Sequence, residues 1–321
     1  MFSELLPEPI PGITTWAERR KAVYLKENTT GETVQVGVFD PTMTGNNMRL
    51  VPGGFEPFGV EVLKRCIESE SEWVSIDEIG FLETTCEAYC DTLCDLMETK
   101  RLITVVRKQD LPFLTKLRNR KDAFLLDLDK PFGNLGCVIM ASGLGKRFGG
   151  NKLMADFRGK PLIQWALDAT DGIFTKRVVV TRHKEVQELC EEQGVPVVLH
   201  ALPHRSDTVR LGLQTMINDV NGCLFCPGDQ PCLRRETVAA LALSAVNDER
   251  SIWRPVVGEQ SGTPVLFPHW AFSELLNLPE GKGGGHLLRQ YPERIGTIPA
   301  HDIKELRDID TPEDLEALLE P

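Results

Sequence analysis

A glycine-rich loop carrying basic residues follows a short apolar run at residues 137–141. Four glycines within residues 143–150 let the backbone curl around a ligand and point its N–H groups inward. Arg147 and Lys152 stand near the end of the loop, and their cations suit phosphate oxygens. No Gly-Lys-Ser/Thr closes the loop, and its third glycine does not match a dinucleotide-binding fingerprint. We therefore predict a binding loop for a nucleoside triphosphate, the alternative being a surface turn with solvated cations.

Two aspartates further along the chain are candidate metal ligands. Asp229 lies just past the predicted strand 222–226, and Asp310 lies just before the terminal helix. In open α/β sheets the carboxyl ends of the strands are where ligands bind. A carboxylate there can hold Mg²⁺ against a triphosphate. Each aspartate alone suits a turn or a helix flank equally well, but a phosphate loop in the same domain favours the metal site.

Composition limits the classes of function. The chain has 321 residues, enough for two domains, and a net charge of −11, which disfavours general binding to nucleic acid or to an anionic membrane. It has no apolar run long enough to span a membrane and no export signal at its start. Nine scattered cysteines are then read as reduced thiols of a cytoplasmic protein.

Residues 131–136 are rich in turn formers and predict a boundary between two domains, 1–133 and 134–321. On both sides predicted strands alternate with predicted helices, which is typical of three-layer α/β/α domains with parallel sheets. The segment 123–128 is predicted as the last strand of the first domain.

Residues 136–319 resemble the MobA-like nucleotidyltransferase family, and most closely its molybdenum cofactor cytidylyltransferase branch. The resemblance implies a Rossmann-like domain of the nucleotide-diphospho-sugar transferase type. The matching motifs occur in the order of the family; they are Met140–Lys152, Gly159–Leu162, Gly228–Pro231, Gly262–Phe267, Gly283–Gly285 and Asp308–Leu315.

The resemblance implies a Mg²⁺-dependent reaction that moves CMP from CTP to the phosphate of molybdopterin cofactor and releases pyrophosphate. CTP or another NTP and a molybdopterin-type cofactor are the implied ligands, and a molybdoenzyme or its chaperone is a further implied partner. Arg147, Lys152 and Asp229 match the catalytic positions, and Asp229 and Asp310 match the metal-binding acids. The implied nucleotide-binding residues are Ala141, Ser142, Gly143, Gly145, Arg147, Lys152, Arg205 and Thr208.

The base and the acceptor stay open at this point. Guanylyl-transferring relatives usually carry a second glycine where this chain has Ser142, and residues 205–213 resemble the cytosine-pocket segment of other cytidylyltransferases. Both features favour CTP, with GTP or another phosphate acceptor as the alternative. Lys282 stands where relatives often have Asp, in a glycine-rich segment expected on the pterin side. A non-catalytic nucleotide-sensing or cofactor-handover protein is the alternative from another class.

The first domain has a different pattern. Asp77 and Glu78 end an apolar strand like a Walker B motif, whose Asp supports Mg²⁺. The segment resembles a small thermophile-type nucleoside triphosphatase, yet residues 1–76 contain no Gly-x-x-x-x-Gly-Lys-Ser/Thr. We therefore expect a truncated P-loop-NTPase-like sheet that serves contacts or regulation. Active hydrolysis is the alternative, and it requires a P-loop upstream.

Overall fold

The computed structural model describes residues 10–43 and 47–319. The chain forms two compact units, which divide between Ala123 and Phe124, whereas the sequence pattern placed the boundary between 133 and 134. The Asn247 side chain accepts a hydrogen bond from Leu125 N (2.7 Å) and donates one to Leu125 O (3.0 Å). These two bonds attach the segment after Ala123 to the second unit.

The first unit is built on a six-stranded mixed sheet with the strand order β4-β3-β2-β1-β5-β6. Strands β1 to β4 are antiparallel neighbours, whereas β5 is parallel to both β1 and β6. The parallel arrangement predicted for this region therefore holds for one half of the sheet. The strands are β1 Gly12–Glu18, β2 Ala22–Glu27, β3 Thr33–Phe39, β4 Met48–Leu50, β5 Trp73–Ile79 and β6 Arg101–Val106.

Tight turns explain the antiparallel half. Arg20 (φ 56°) and Gly31 (φ 77°) adopt left-handed backbone conformations in the turns after β1 and β2. Such turns are too short for the crossover that parallel neighbours require, so the chain doubles back as hairpins.

Three α-helices lie in the described part of the first unit, and alternation along β5 directs Val74 and Ile76 into the core that these helices cover. The predicted strand at 123–128 is wrong, because this segment is irregular and leaves Phe124 62% and Leu128 74% exposed. Its apolar side chains follow a pattern that is typical of a strand, but the segment pairs with no strand among the described residues. The helices are α1 Phe58–Glu68, α2 Glu87–Thr99 and α3 Pro112–Arg118.

The second unit has an eight-stranded sheet with the order β11-β10-β7-β12-β15-β13-β14, and β16 pairs with β13. Its centre is parallel, because β7 lies between β10 and β12 in the same direction, as predicted. A separate short hairpin is formed by β8 and β9. The strands are β7 Leu135–Ala141, β8 Asp156–Phe157, β9 Lys160–Pro161, β10 Lys176–Thr181, β11 Val197–Leu199, β12 Gly222–Pro227, β13 Ile252–Val257, β14 Gln260–Ser261, β15 Val265–Pro268 and β16 Ile295–Pro299.

Helices cover both faces of this sheet. Ile139 of β7 lies in a core with residues of α4, α5 and α7, whereas the adjacent Val138 lies in a second core with residues of α6 and α8. Successive residues of a strand point to opposite faces, so this unit has three layers. The helices are α4 Leu162–Thr170, α5 Lys184–Glu192, α6 Arg205–Gln214, α7 Arg235–Asn247, α8 Phe272–Leu276, α9 Gly285–Gln290 and α10 Pro312–Leu319.

Within residues 10–43 and 47–319, every helix is too short or too polar to cross a bilayer.

Candidate nucleotide-binding site

The site lies where two adjacent parallel strands end. Register pairs Met140 of β7 with Pro227 of β12, so the loop after β7 and the turn after β12 start side by side. The first carries the glycine-rich loop, and the second carries Asp229. The glycine-rich loop and Asp229 were expected from the sequence to lie close together, and the order of the strands in the sheet alone accounts for this.

Gly143 and Gly145 of the loop have different structural roles. Gly145 has φ 58°, and a Cβ there would lie 1.9 Å from Gly150 O, so only glycine fits. Its carbonyl accepts hydrogen bonds from the N–H groups of Phe148 and Gly149 (both 3.0 Å), which closes the loop. A Cβ on Gly143 would meet no atom within 4 Å. Gly145 therefore shapes the loop, whereas Gly143 leaves open space on its surface.

Lys152 links the loop to both predicted metal-binding acids. Its Nζ lies 2.7 Å from Asp229 Oδ2 and 2.9 Å from Asp310 Oδ1, and it donates to Ile309 O at 2.6 Å. The lysine is 6% exposed. Ile309 N donates to Asp229 O (3.0 Å), which fixes the segment before α10 against the end of β12. Residues more than 150 positions apart thus form one charged cluster.

The charges within this cluster shift the pKa values of Lys152 and Asp310. Burial acts to lower the pKa of Lys152, but the charges of Asp229 and Asp310 outweigh it and leave that pKa raised. Its hydrogen bond in turn lowers the pKa of Asp310, and Arg147 adds to this effect from 2.6 Å. The Arg147 side chain is mostly exposed, and its guanidinium pairs with Asp310.

Asp308 belongs to the site and was not among the predicted site residues. Burial raises the pKa of Asp308 to about 6, and the negative charge of Asp229 adds to this effect. A hydrogen bond from Gln230 acts in the opposite direction. The alternation Asp308-Ile309-Asp310 is the signal that was available, because residues two apart in an extended segment share a side. Ile309 between them is fully buried.

A cavity of about 530 Å³ collects most of the predicted residues. Ala141 is the exception: it is buried in the core, and its carbonyl accepts a hydrogen bond from Thr181 Oγ1 (2.9 Å). Lys146, Arg182, His204 and Asp308 also line the cavity and were not predicted. The predicted residues in its wall are Ser142, Gly143, Gly145, Arg147, Lys152, Arg205, Thr208, Asp229 and Asp310.

A histidine fixes Ser142 in the wall of this cavity. His200 Nδ1 accepts a hydrogen bond from Leu202 N (3.1 Å), which assigns the ring proton to Nε2. That nitrogen lies 2.8 Å from Ser142 Oγ, and the serine hydroxyl donates to Val180 O (3.0 Å). Desolvation and the nearby Arg182 lower the pKa of His200, which favours this neutral form. Sequence reasoning missed His200, because it is 58 positions from Ser142.

The first unit holds the predicted Walker B acids on β5. Asp77 is exposed, and desolvation together with the charge of Glu78 raises its pKa. The Glu78 carboxylate is held by the guanidinium of Arg107. The nearby Glu83 is buried and accepts the Gly80 N–H at 2.9 Å. Glu78 and Glu83 thus have partners within the unit, and a role of Asp77 and Glu78 in hydrolysis stays a prediction.

Comparison with protein families assigns both parts of the chain. Residues 137–295 match the model of the MobA-like NTP transferase domain. The second unit contains a MobA-like NTP transferase domain. Residues 17–132 match the NTPase family, in agreement with the predicted resemblance of the first part.

Curated relatives match the transferase domain over part of their length. A "Probable molybdenum cofactor guanylyltransferase" of Bacillus licheniformis is 34% identical over 107 residues, which cover 32% of this chain and 53% of that protein. A 3-deoxy-manno-octulosonate cytidylyltransferase of Gemmatimonas aurantiaca is 37% identical over 71 residues, which cover 21% and 28%. The chain thus spans about half the length of the first of these relatives.

Solved structures confirm the fold of the transferase domain. Rv0371c of Mycobacterium tuberculosis superposes with a TM-score of 0.53 at 21% identity, over 59% of this chain and 99% of that protein. A nucleotidyl transferase of Methanothermobacter superposes with a TM-score of 0.52 at 22% identity, over 58% and 96%. The Rossmann-like nucleotidyltransferase fold expected from the sequence is therefore correct.

Proposed function

We propose that the second unit transfers a nucleotidyl group from an NTP, with CTP preferred, to the phosphate of a molybdenum-cofactor-type acceptor and releases pyrophosphate. The carrying observation is Lys152, held between Asp229 and Asp310 where the glycine loop meets the end of β12. The names of the curated relatives support an acceptor of this class, since three of them are described as probable molybdenum cofactor guanylyltransferases.

The chemistry requires charge neutralisation at the triphosphate, with the attacking and leaving oxygens in line. Lys146 and Arg147 line the cavity from the loop, and Arg182, which directly follows β10, lines it as well. Arg147 is held only by Asp310 in the described structure, at an exposed position, so phosphate oxygens can exchange for that carboxylate. The loop N–H groups supply further donors, and no covalent enzyme intermediate is needed.

The residues present fit a divalent cation. Carboxylate oxygens of Asp229, Asp308 and Asp310 are the hard donors that Mg²⁺ prefers, and Lys152 and Arg147 balance only part of their charge. In the described part of the chain no three His, Cys, Asp or Glu side chains form a ready metal cage, so phosphate oxygens would complete the coordination. A bound cation would act as a Lewis acid on the transferred phosphoryl group.

The preference for CTP rests on the wall formed by Ser142. Its Oγ is fixed by Val180 O and His200 Nε2, so the side chain occupies space that a glycine would leave open. A smaller opening favours a pyrimidine over a purine. The relatives include both guanylyltransferases and cytidylyltransferases, so GTP is the alternative nucleotide.

Thermal unfolding with each NTP and Mg²⁺ tests nucleotide binding. CTP at about one hundred times its dissociation constant should stabilise the second unit by about 2.7 kcal/mol, and GTP should stabilise it less. Asp229→Asn should remove the nucleotide effect. The control Asp219→Asn changes an exposed aspartate paired with Lys176 at 3.5 Å and should keep that effect. The proposal is wrong if no NTP raises the unfolding temperature of the wild-type chain.

A further inference from the structure

His183 contacts the glycine loop from outside the nucleotide cavity. The residue directly precedes α5, and its Nε2 lies 2.8 Å from Gly143 O. A carbonyl oxygen can only accept a hydrogen bond, so Nε2 carries the ring proton and donates it. Gly143 and Leu144 line the cavity, whereas His183 is not part of its wall. His183 therefore holds the loop from a position where it does not contact a ligand in the cavity.

The backbone of His183 is fixed on both sides. Its N–H donates to Thr181 Oγ1 (3.1 Å), and its carbonyl accepts a hydrogen bond from Gln187 N (3.1 Å) at the start of α5. Thr181 is fully buried, and its hydroxyl donates to Ala141 O (2.9 Å). The imidazole thus projects from a rigid junction between β10 and α5, which suits a side chain that has to hold a neighbouring segment in place.

The peptide between Gly143 and Leu144 has few other restraints. A Cβ on Gly143 would meet no atom within 4 Å, so neighbouring groups do not limit the rotation of its backbone. The Leu144 side chain is 52% exposed and does not anchor the peptide in the core. Among the described residues, the Leu144 N–H has no backbone or side-chain acceptor. The orientation of this peptide therefore depends on the hydrogen bond from His183.

The geometry of this peptide links its carbonyl to its N–H group. The peptide is trans, so the two groups point in opposite directions. With Gly143 O turned toward His183, the Leu144 N–H is directed to the other side of the loop. The reverse orientation would turn the carbonyl oxygen toward the cavity, where its partial negative charge would repel a phosphate. A backbone N–H that faces an anion instead forms a strong, charge-assisted hydrogen bond.

We propose that His183 is a positioning residue of the nucleotide site: it holds Gly143 O away from the cavity, so that the Leu144 N–H donates to a phosphate oxygen of the bound NTP. This inference rests on the proposed nucleotidyl transfer and adds to it a residue that the sequence did not single out. His183 itself touches neither the nucleotide nor the reacting atoms. Its loss therefore weakens NTP binding and leaves the groups that carry out the transfer in place.

Selective isotope labelling can observe this peptide directly. Carbon-13 in the glycine carbonyls combined with nitrogen-15 in leucine gives one NMR signal for each Gly-Leu pair, and the chain contains two such pairs, Gly143-Leu144 and Gly212-Leu213. Titration of the full chain with CTP and Mg²⁺, without an acceptor, should shift the Leu144 amide proton downfield. Leu213 is fully buried in α6, so the second signal should move little and serves as an internal control.

Substitutions of His183 test its role. In titration calorimetry, His183→Ala should raise the dissociation constant for CTP about tenfold, as expected for one lost hydrogen bond to a charged group. His183→Gln should restore most of the affinity, because its amide nitrogen is as many bonds from Cβ as Nε2 and can donate to Gly143 O. In pyrophosphate release, His183→Ala should raise the KM for CTP and leave kcat within about twofold. The control His301→Ala changes an exposed histidine outside the cavity and should change neither constant.

The results that overturn the assignment are an unchanged CTP affinity in His183→Ala, or a downfield shift of the Leu144 signal that persists in this variant. The Gly212-Leu213 signal at its wild-type position shows that the variant is folded, and His183→Gln gives a second test that keeps the hydrogen bond. Failure of the proposed function looks different, because then the wild-type chain would bind no NTP and neither Gly-Leu signal would respond to CTP.

Discussion

Replacing Lys152 by Met removes the centre of the charged cluster while keeping most of the side-chain volume. The Nζ loses its contacts with Asp229 (2.7 Å), Asp310 (2.9 Å) and Ile309 O (2.6 Å). Removing one partner of a buried ion pair costs about 3–5 kcal/mol, and a hydrogen bond to a charged group contributes about 1.5–3 kcal/mol. Asp310 is 39% exposed, so solvent screens part of the loss. We therefore expect a loss of about 2–4 kcal/mol in unfolding free energy.

Differential scanning calorimetry of the full chain measures this loss in the transition of the second unit. A loss of this size lowers the unfolding temperature of a unit of about 200 residues by about 5–12 °C. Lys160→Met is the matched control, because Lys160 pairs with Asp168 at 2.8 Å with both side chains about half exposed. Such a surface pair contributes about 0–1 kcal/mol. Equal effects of the two substitutions would refute the reasoning.

The pH dependence adds a second check. Because the pKa of Lys152 is raised in the folded state, its stabilisation is present below the unfolded pKa of about 10.4 and is lost as the pH rises through the folded value. Above the titration of Asp308, whose pKa is about 6, the difference between the wild type and Lys152→Met should therefore be constant up to about pH 9 and should shrink only above about pH 10.4. A difference that disappears near neutral pH would contradict the assignment.

Three further experiments test other parts of the account. Gly145→Ala should lower the unfolding free energy by at least about 2 kcal/mol, because the new Cβ would clash and the residue has a positive φ. Gly143→Ala should leave the unfolding temperature in calorimetry unchanged and should weaken CTP binding in titration calorimetry. Equal stability losses in the two variants would contradict the different roles of the two glycines. Gln230→Ala should cost about 1–3 kcal/mol in urea unfolding, because the buried amide donates to Thr263 Oγ1 at 2.7 Å, and a neutral result would exclude that role. Burial raises the pKa of Cys226 to about 12, so iodoacetamide at pH 8 should label it only after unfolding, as read by mass spectrometry; labelling in the native state would show that the thiol is accessible.

The glycine loop and Asp229 could be predicted from the sequence, because apolar runs mark strands and parallel strands end at one edge. The terminal helix expected just after Asp310 was likewise predicted, and it corresponds to α10, Pro312–Leu319. The antiparallel half of the first sheet was not predicted, since the alternation of strands and helices suggested a parallel sheet throughout, whereas tight turns join the strands β1 to β3.

The parts of the site that were missed depend on long-range packing. His200 reaches Ser142 only because β11 lies beside β10 in the sheet, which places the end of β11 near the glycine loop. Asp308 became part of the site because Ile309 N bonds to Asp229 O and fixes the segment. Contacts of this kind join distant segments, and of these two residues only Asp308 had a local sequence signal, its alternation with Asp310.

The central claim is nucleotidyl transfer at the cluster of Lys152, Asp229 and Asp310. The most direct measurement is pyrophosphate release by the full chain with Mg²⁺, molybdopterin and each of the four NTPs, with the product identified by mass spectrometry. The account predicts one pyrophosphate for each nucleotide joined to the pterin phosphate, fastest with CTP, and loss of both products in Asp229→Asn. Binding of an NTP without pyrophosphate release from any NTP and this acceptor would contradict it and would favour a nucleotide-sensing or handover protein.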